Sequence, residues 1–113
     1  MKIASLYDQI EYNEQKPSVN VLIDNNNTKE IRIVFRQGQE MKEHKTKFPI
    51  VVEIVEGSID FGVENERHQL SKGQIIALDG DIPHDLKAEV DSIVRLSLSK
   101  SDQTGRVEKL VNG

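Results

Sequence analysis

The chain has three histidines and no cysteine, so metal-ligating or acid–base chemistry near neutral pH falls first on imidazoles. Two of them close glycine-led stretches: Gly38-Gln39-Glu40-Met41-Lys42-Glu43-His44 and Gly73 through Ile82-Pro83-His84. A neutral imidazole ligates a divalent metal, serves as a general base, or exchanges hydrogen bonds with a bound molecule. If His44 and His84 face one cavity, they orient an anionic or hydroxylated ligand without any metal. Each also has a plainer reading, His44 as a polar residue at a barrel mouth and His84 as a ring held by turn backbone after Ile82-Pro83. His68 lies in the charged stretch Glu64 to Gln69 and reads as a surface residue.

Other chemistries have less support. Ser58 and Ser71 lack a nucleophile-elbow context, and no Gly-Lys phosphate loop occurs. Asp79 and Asp81 flank Gly80 in a turn and read as capping groups rather than an acid pair. A net charge of −4, with both signs interleaved, offers no basic stripe with aromatic partners, so no nucleic acid is expected as a partner. Lys42 to Lys47 also contains Glu43 and His44 and reads as a solvated loop of mixed charge. No apolar run approaches the roughly 20 residues of a membrane span, and Met1-Lys2-Ile3-Ala4-Ser5 has no signal-peptide character. The expectation is a cytoplasmic protein with no membrane association. Asn26-Asn27-Thr28 then reads as a polar turn rather than a glycosylation acceptor.

The elements that must position the histidines are strands. Val19, Val21 and Ile23 alternate with Asn20, Leu22 and Asp24; Ile31, Ile33 and Phe35 alternate with Arg32, Val34 and Arg36. Asp24-Asn25-Asn26-Asn27 between them supplies a hairpin turn. The run Ile50 to Val55 and the alternating Ile59, Phe61 and Val63 predict a second hairpin turning at Gly57-Ser58. Further strands follow at Arg67–Leu70, Gln74–Leu78 and Ile93–Ser99, the first set off by Glu64-Asn65-Glu66 and the second by Ser71-Lys72-Gly73. Eight or nine short strands result. Lys2 to Glu11 has Ile3, Leu6, Tyr7 and Ile10 at helical spacing without a clear cap, so a helix, an arm and an edge strand all remain open. Short strands with Gly-based turns imply a closed all-β architecture, because one open sheet would expose an apolar face and two edges. A single domain is expected over 1–113, with an arm at 1–17, a barrel core at about 18–99 and a tail at 100–113 that is loosely held or forms a short terminal helix.

The two glycine-led stretches resemble the paired motifs of the cupin family. The first motif has the form Gly, five residues, His-x-His, three or four residues, Glu, six residues, Gly, and is similar to Gly38 through Gly57. The second has the form Gly, five residues, Pro-x-Gly, two residues, His, three residues, Asn, and is similar to Gly73 through Ala88. The resemblance runs from about Ile31 to Leu98. It implies an all-β, cupin-like double-stranded β-helix, or jelly-roll, barrel. In the family, three histidines and a glutamate converge on a divalent metal. Here His44 and His84 match the first and last ligand positions, while the second histidine is replaced by Thr46 and the glutamate by Ile50 or Val51. Glu53 is no substitute, because strand alternation puts it on the face opposite Val52 and Ile54. The second motif's proline, glycine and asparagine align with Asp79, Asp81 and Ala88.

The resemblance thus implies a small cupin binding a small molecule in a cavity lined by Phe35, His44, Thr46, Ile50, Val52, His84 and Leu86. The alternative is a metal-dependent dioxygenase or isomerase in which His44 and His84 hold iron, manganese, nickel or zinc at low occupancy, with water completing the shell. The resemblance also implies a homodimer, paired through a sheet face or an exchanged N-terminal strand.

Overall fold

Period-two alternation becomes nine strands in the computed structural model, which describes residues 1–100. They are β1 (Ser18–Asp24), β2 (Thr28–Phe35), β3 (Glu40–His44), β4 (Ile50–Glu56), β5 (Ser58–Val63), β6 (Glu66–Ser71), β7 (Ile75–Leu78), β8 (His84–Ala88) and β9 (Ser92–Ser99). Among the described residues no helix occurs, and so none is long and apolar enough to cross a membrane. Two antiparallel sheets form, ordered β1-β2-β9-β4-β7 and β3-β8-β5-β6.

The pairings are nested. β5 pairs with β6 at the centre, then β4 with β7, β3 with β8 and β2 with β9, and successive pairs belong alternately to the two sheets. One long hairpin is thereby wound into a double-stranded β-helix. Its centre is the two-residue loop Glu64-Asn65, both residues left-handed at φ of 53° and 63°, as a type I′ hairpin requires. Phe35, Val52, Ile54, Ile59, Phe61 and Val94 are fully buried between the sheets. Burial of such side chains contributes roughly 1.5–3 kcal/mol each, which is what holds the two layers together.

Two local expectations need correction, and one that was left open is decided. Gly57 does not turn a hairpin: β4 pairs with β7 and β9, β5 with β6 and β8, so Gly57 carries the chain from one sheet to the other. The charged stretch from Lys42 is not wholly loop, since Lys42, Glu43 and His44 end β3. Lys2 to Glu11 forms neither helix nor strand. It lies as an arm on the outer face of the first sheet, held by Arg32. Arg32 as a whole is only 3% exposed. It donates to the carbonyls of Leu6 (3.2 Å), Asp8 (2.8 Å) and Gln9 (3.5 Å) and to Asn20 Oδ1. The tail expected from Ser101 onward lies outside the described residues.

Candidate functional site

Both histidines end up on strands of the second sheet. β3 and β8 run antiparallel with Met41 opposite Leu86 and His44 opposite His84, the register shifting between the two pairs. β5 continues the same row with Val63 opposite His84 and Phe61 opposite Leu86. Leu86, Phe61 and Val63 are buried, so the face that carries the two histidines is the interior one. The imidazole centroids lie 4.5 Å apart, with the rings tilted 58° to one another. Residues forty positions apart in the chain are therefore direct neighbours.

Each ring is anchored in the same way. His44 Nδ1 lies 2.9 Å from the Lys42 carbonyl and His84 Nδ1 lies 2.9 Å from the Ile82 carbonyl. A carbonyl only accepts, so Nδ1–H is the donor in both, and each neutral ring keeps its Nε2 lone pair free. The plainer reading of His84, a ring held by turn backbone, is thus half of the observed geometry. His84 is 2% exposed and stacks on Phe61, the centroids 5.8 Å apart and the planes 4° from parallel. Burial depresses its pKa below the ordinary 6.5; the Ile82 carbonyl opposes the shift and nearby His44 adds to it.

The loops that follow β3 and precede β8 are tied together. The Asp81 amide donates to the Thr46 carbonyl at 2.6 Å, and Gly80 lies so close to the Lys47 carbonyl that a β-carbon there would collide with it. Thr46, at the position of the family's second histidine, uses its hydroxyl to donate to the Phe48 carbonyl at 2.9 Å. Its side chain therefore serves a local turn.

The remaining expected residues divide. Phe35, Val52 and Leu86 are packed in the core at 0%, 1% and 3% exposure and line neither of the two cavities described next. Ile50 is also buried, and it forms part of a cavity of about 420 Å³ at one end of the barrel, with Leu78, Ile82, Leu98, Glu64 and Asp79 around it. Val51 points outward. Glu53 does too, and pairs with Arg95 Nε at 3.1 Å, as strand alternation required. His44 faces a different cavity, of about 530 Å³, where the edge strands of the two sheets meet. Lys16, Val19, Met41 and Lys42 line it, residues that reading the chain left out. The missed signal is tertiary, since β1 and β3 do not pair and nothing local brings them together.

As a metal centre the donor set is incomplete. The two Nε2 lone pairs supply two ligands, the second and third family positions are a committed threonine and an aliphatic residue, and natural sites use three or four protein donors. Among the described residues no group of three or more His, Cys, Asp or Glu side chains is placed to hold a metal ion. The residues do not fit a tightly held resident metal.

The fold has many solved counterparts. The chain is similar to an RmlC-like cupin protein from Desulfovibrio desulfuricans, at 19% identity and a TM-score of 0.81, covering 88% of this chain and 97% of that one. It is similar to a conserved protein with a double-stranded β-helix domain from Klebsiella pneumoniae, at 14% identity and a TM-score of 0.81, covering 90% and 92%. An RmlC-like cupin from Shewanella frigidimarina matches at 19% identity and a TM-score of 0.76, covering 93% and 96%. No family model and no curated protein matches the chain. Nested strand pairing and these likenesses together define a cupin-type double-stranded β-helix. More particularly, it is a cupin fold in which two histidines, rather than a four-ligand set, occupy the interior row.

Proposed function

We propose that this protein is a binding barrel for a small molecule, with His44 and His84 as its polar contact inside the barrel. The observation that supports this is the shared anchoring of the two rings, which puts the proton on Nδ1 and leaves an Nε2 acceptor on each, with His44 on a cavity and His84 buried beside it, the centroids 4.5 Å apart. Side chains held by backbone in this way are preorganised, so little ordering entropy is lost when a ligand arrives. Two neutral acceptors suit a ligand with hydroxyl or N–H donors at one end. The incomplete donor set disfavours the alternative of a metal-dependent dioxygenase or isomerase.

The test is a thermal-shift screen with small polyols, sugars and hydroxy acids, followed by titration of the stabilising compounds into wild type and His44→Ala. Binding at least tenfold weaker in a folded His44→Ala protein is expected. Equal affinity in the two proteins contradicts the proposal. Metal analysis of protein purified without an affinity tag separates the alternative: stoichiometric metal that disappears in His44→Ala/His84→Ala favours the metalloenzyme.

A further inference from the structure

The cleft in front of His44 has a chemistry of its own. β1 is the edge of one sheet and β3 the edge of the other, so the two face each other across a seam with no ladder of hydrogen bonds. Val19 from β1 and Met41 from β3 give the seam an apolar floor, and His44 closes one part of it. Met41 packs against the core, while Val19 is 53% exposed and open to a ligand in the cleft.

Three charged side chains line the same cleft: Lys16, Lys42 and Glu40. Glu40 stands opposite Lys87 in the β3–β8 register and next to Met41, whose side chain faces the core, so strand alternation turns Glu40 outward, and the two lysines leave the cleft with a net positive charge. Neither lysine has an ion-pair partner among the described residues. The stretch before β1 is also held in place. Asn13 Oδ1 accepts from the amides of Gln15 (2.8 Å) and Lys16 (3.3 Å), and Gln39 Nε2 donates to the Asn13 carbonyl at 2.7 Å. That turn fixes the backbone from which Lys16 projects.

We infer that the β1–β3 cleft binds a small organic anion, its carboxylate or phosphate between Lys16 and Lys42 and its apolar body on Val19 and Met41. This rests on the binding-barrel reading insofar as the far end of the ligand meets His44, and it adds the ligand's charge and its side of approach. Both lysines are exposed, so their attraction for an anion is that of surface charges and weakens as salt is raised. The apolar floor selects anions with a hydrocarbon body over inorganic ones.

The experiment titrates benzoate, hexanoate, inorganic phosphate and benzamide into isotope-labelled full-length protein and follows backbone amide and histidine-ring resonances. Saturable shifts at Val19, Met41 and Lys42 with benzoate or hexanoate are expected. Phosphate and the neutral benzamide are expected to bind at least tenfold more weakly, and so is benzoate to a folded Lys16→Gln/Lys42→Gln variant. No saturable shift in the cleft, or equal binding by benzamide or by the double variant, overturns the inference. The histidine reading fails separately: lysine-dependent binding that leaves the His44 ring resonances unmoved supports the anion cleft and contradicts the role given to His44.

Discussion

Phe61 lies flat against His84, their planes 4° apart and centroids 5.8 Å apart, so the most buried imidazole has an aromatic face on one side and a second imidazole on the other. Burial lowers the pKa of His84 and nearby His44 adds to the shift, against the opposing Ile82 carbonyl and Asp85. The folded ring titrates below 6.5 while the unfolded chain titrates near that value, so between the two the unfolded state holds the extra proton. Stability is therefore unaffected by this group above pH 6.5 and falls as pH drops below it. Urea unfolding is expected to show a midpoint that declines from about pH 6.5 to pH 5, with that decline reduced in His84→Phe. Asp91, whose pKa the Gln37 amide and Arg36 lower below 3.8, acts only at lower pH and leaves the window clear. A midpoint flat across the window contradicts the assignment.

Gly57 and Gly38 separate backbone strain from collision. Both are left-handed, at φ of 92° and 87°. A β-carbon on Gly57 would run into Ser92 Oγ and the Asp91 carbonyl, whereas one on Gly38 meets open space. Gly38→Ala is expected to cost about 1 kcal/mol, from backbone conformation alone. Gly57→Ala is expected to cost about 3 kcal/mol or more, since overpacking is added to strain. Chemical denaturation of both variants gives the difference directly.

Arg32 is a buried cation whose acceptors are all neutral, three of them carbonyls of the arm. Arg32→Met keeps much of the side-chain volume and removes every donor. It is expected to destabilise by about 2–4 kcal/mol, and to free the arm, as the carbonyls of Leu6, Asp8 and Gln9 turn to water. Limited proteolysis at Lys16 and amide exchange from Leu6 to Glu11 read the release. Unchanged protection would mean that the arm is held by something else.

The hairpin loop at the centre of the fold can be improved. Glu64 and Asn65 both adopt left-handed conformations, where Asn-Gly is favoured. Glu64→Asn/Asn65→Gly is expected to stabilise by about 0.5–1 kcal/mol, seen as a raised urea midpoint at an unchanged slope.

Much of this fold was legible along the chain because period-two alternation survives wherever one face is buried. β2, β4, β5 and β9 read correctly from Ile31 to Phe35, Ile50 to Val55, Ile59 to Val63 and Ile93 to Ser99. β3 did not: of its five residues only Met41 is apolar, and the register shift between Met41 and His44 breaks the alternation. At Gly57 the turn was visible, but a turn residue says that the chain changes direction, not which sheet receives it. Arg32 sits on an outward-facing position of β2, and nothing local announces that an arm will cover it. The motif resemblance paired His44 with His84 at one cavity; the rings do meet, but of the two only His44 lines a cavity. The Lys16–Lys42 cleft was not, because it joins edges of two different sheets.

Tautomers test the central claim most directly. Long-range proton–nitrogen NMR of the histidine rings at about pH 8, above the ordinary imidazole range, is expected to show Nδ1 protonated and Nε2 unprotonated in both His44 and His84. A protonated Nε2 in either ring would mean that the paired acceptors do not exist, and the binding role assigned to them would fall.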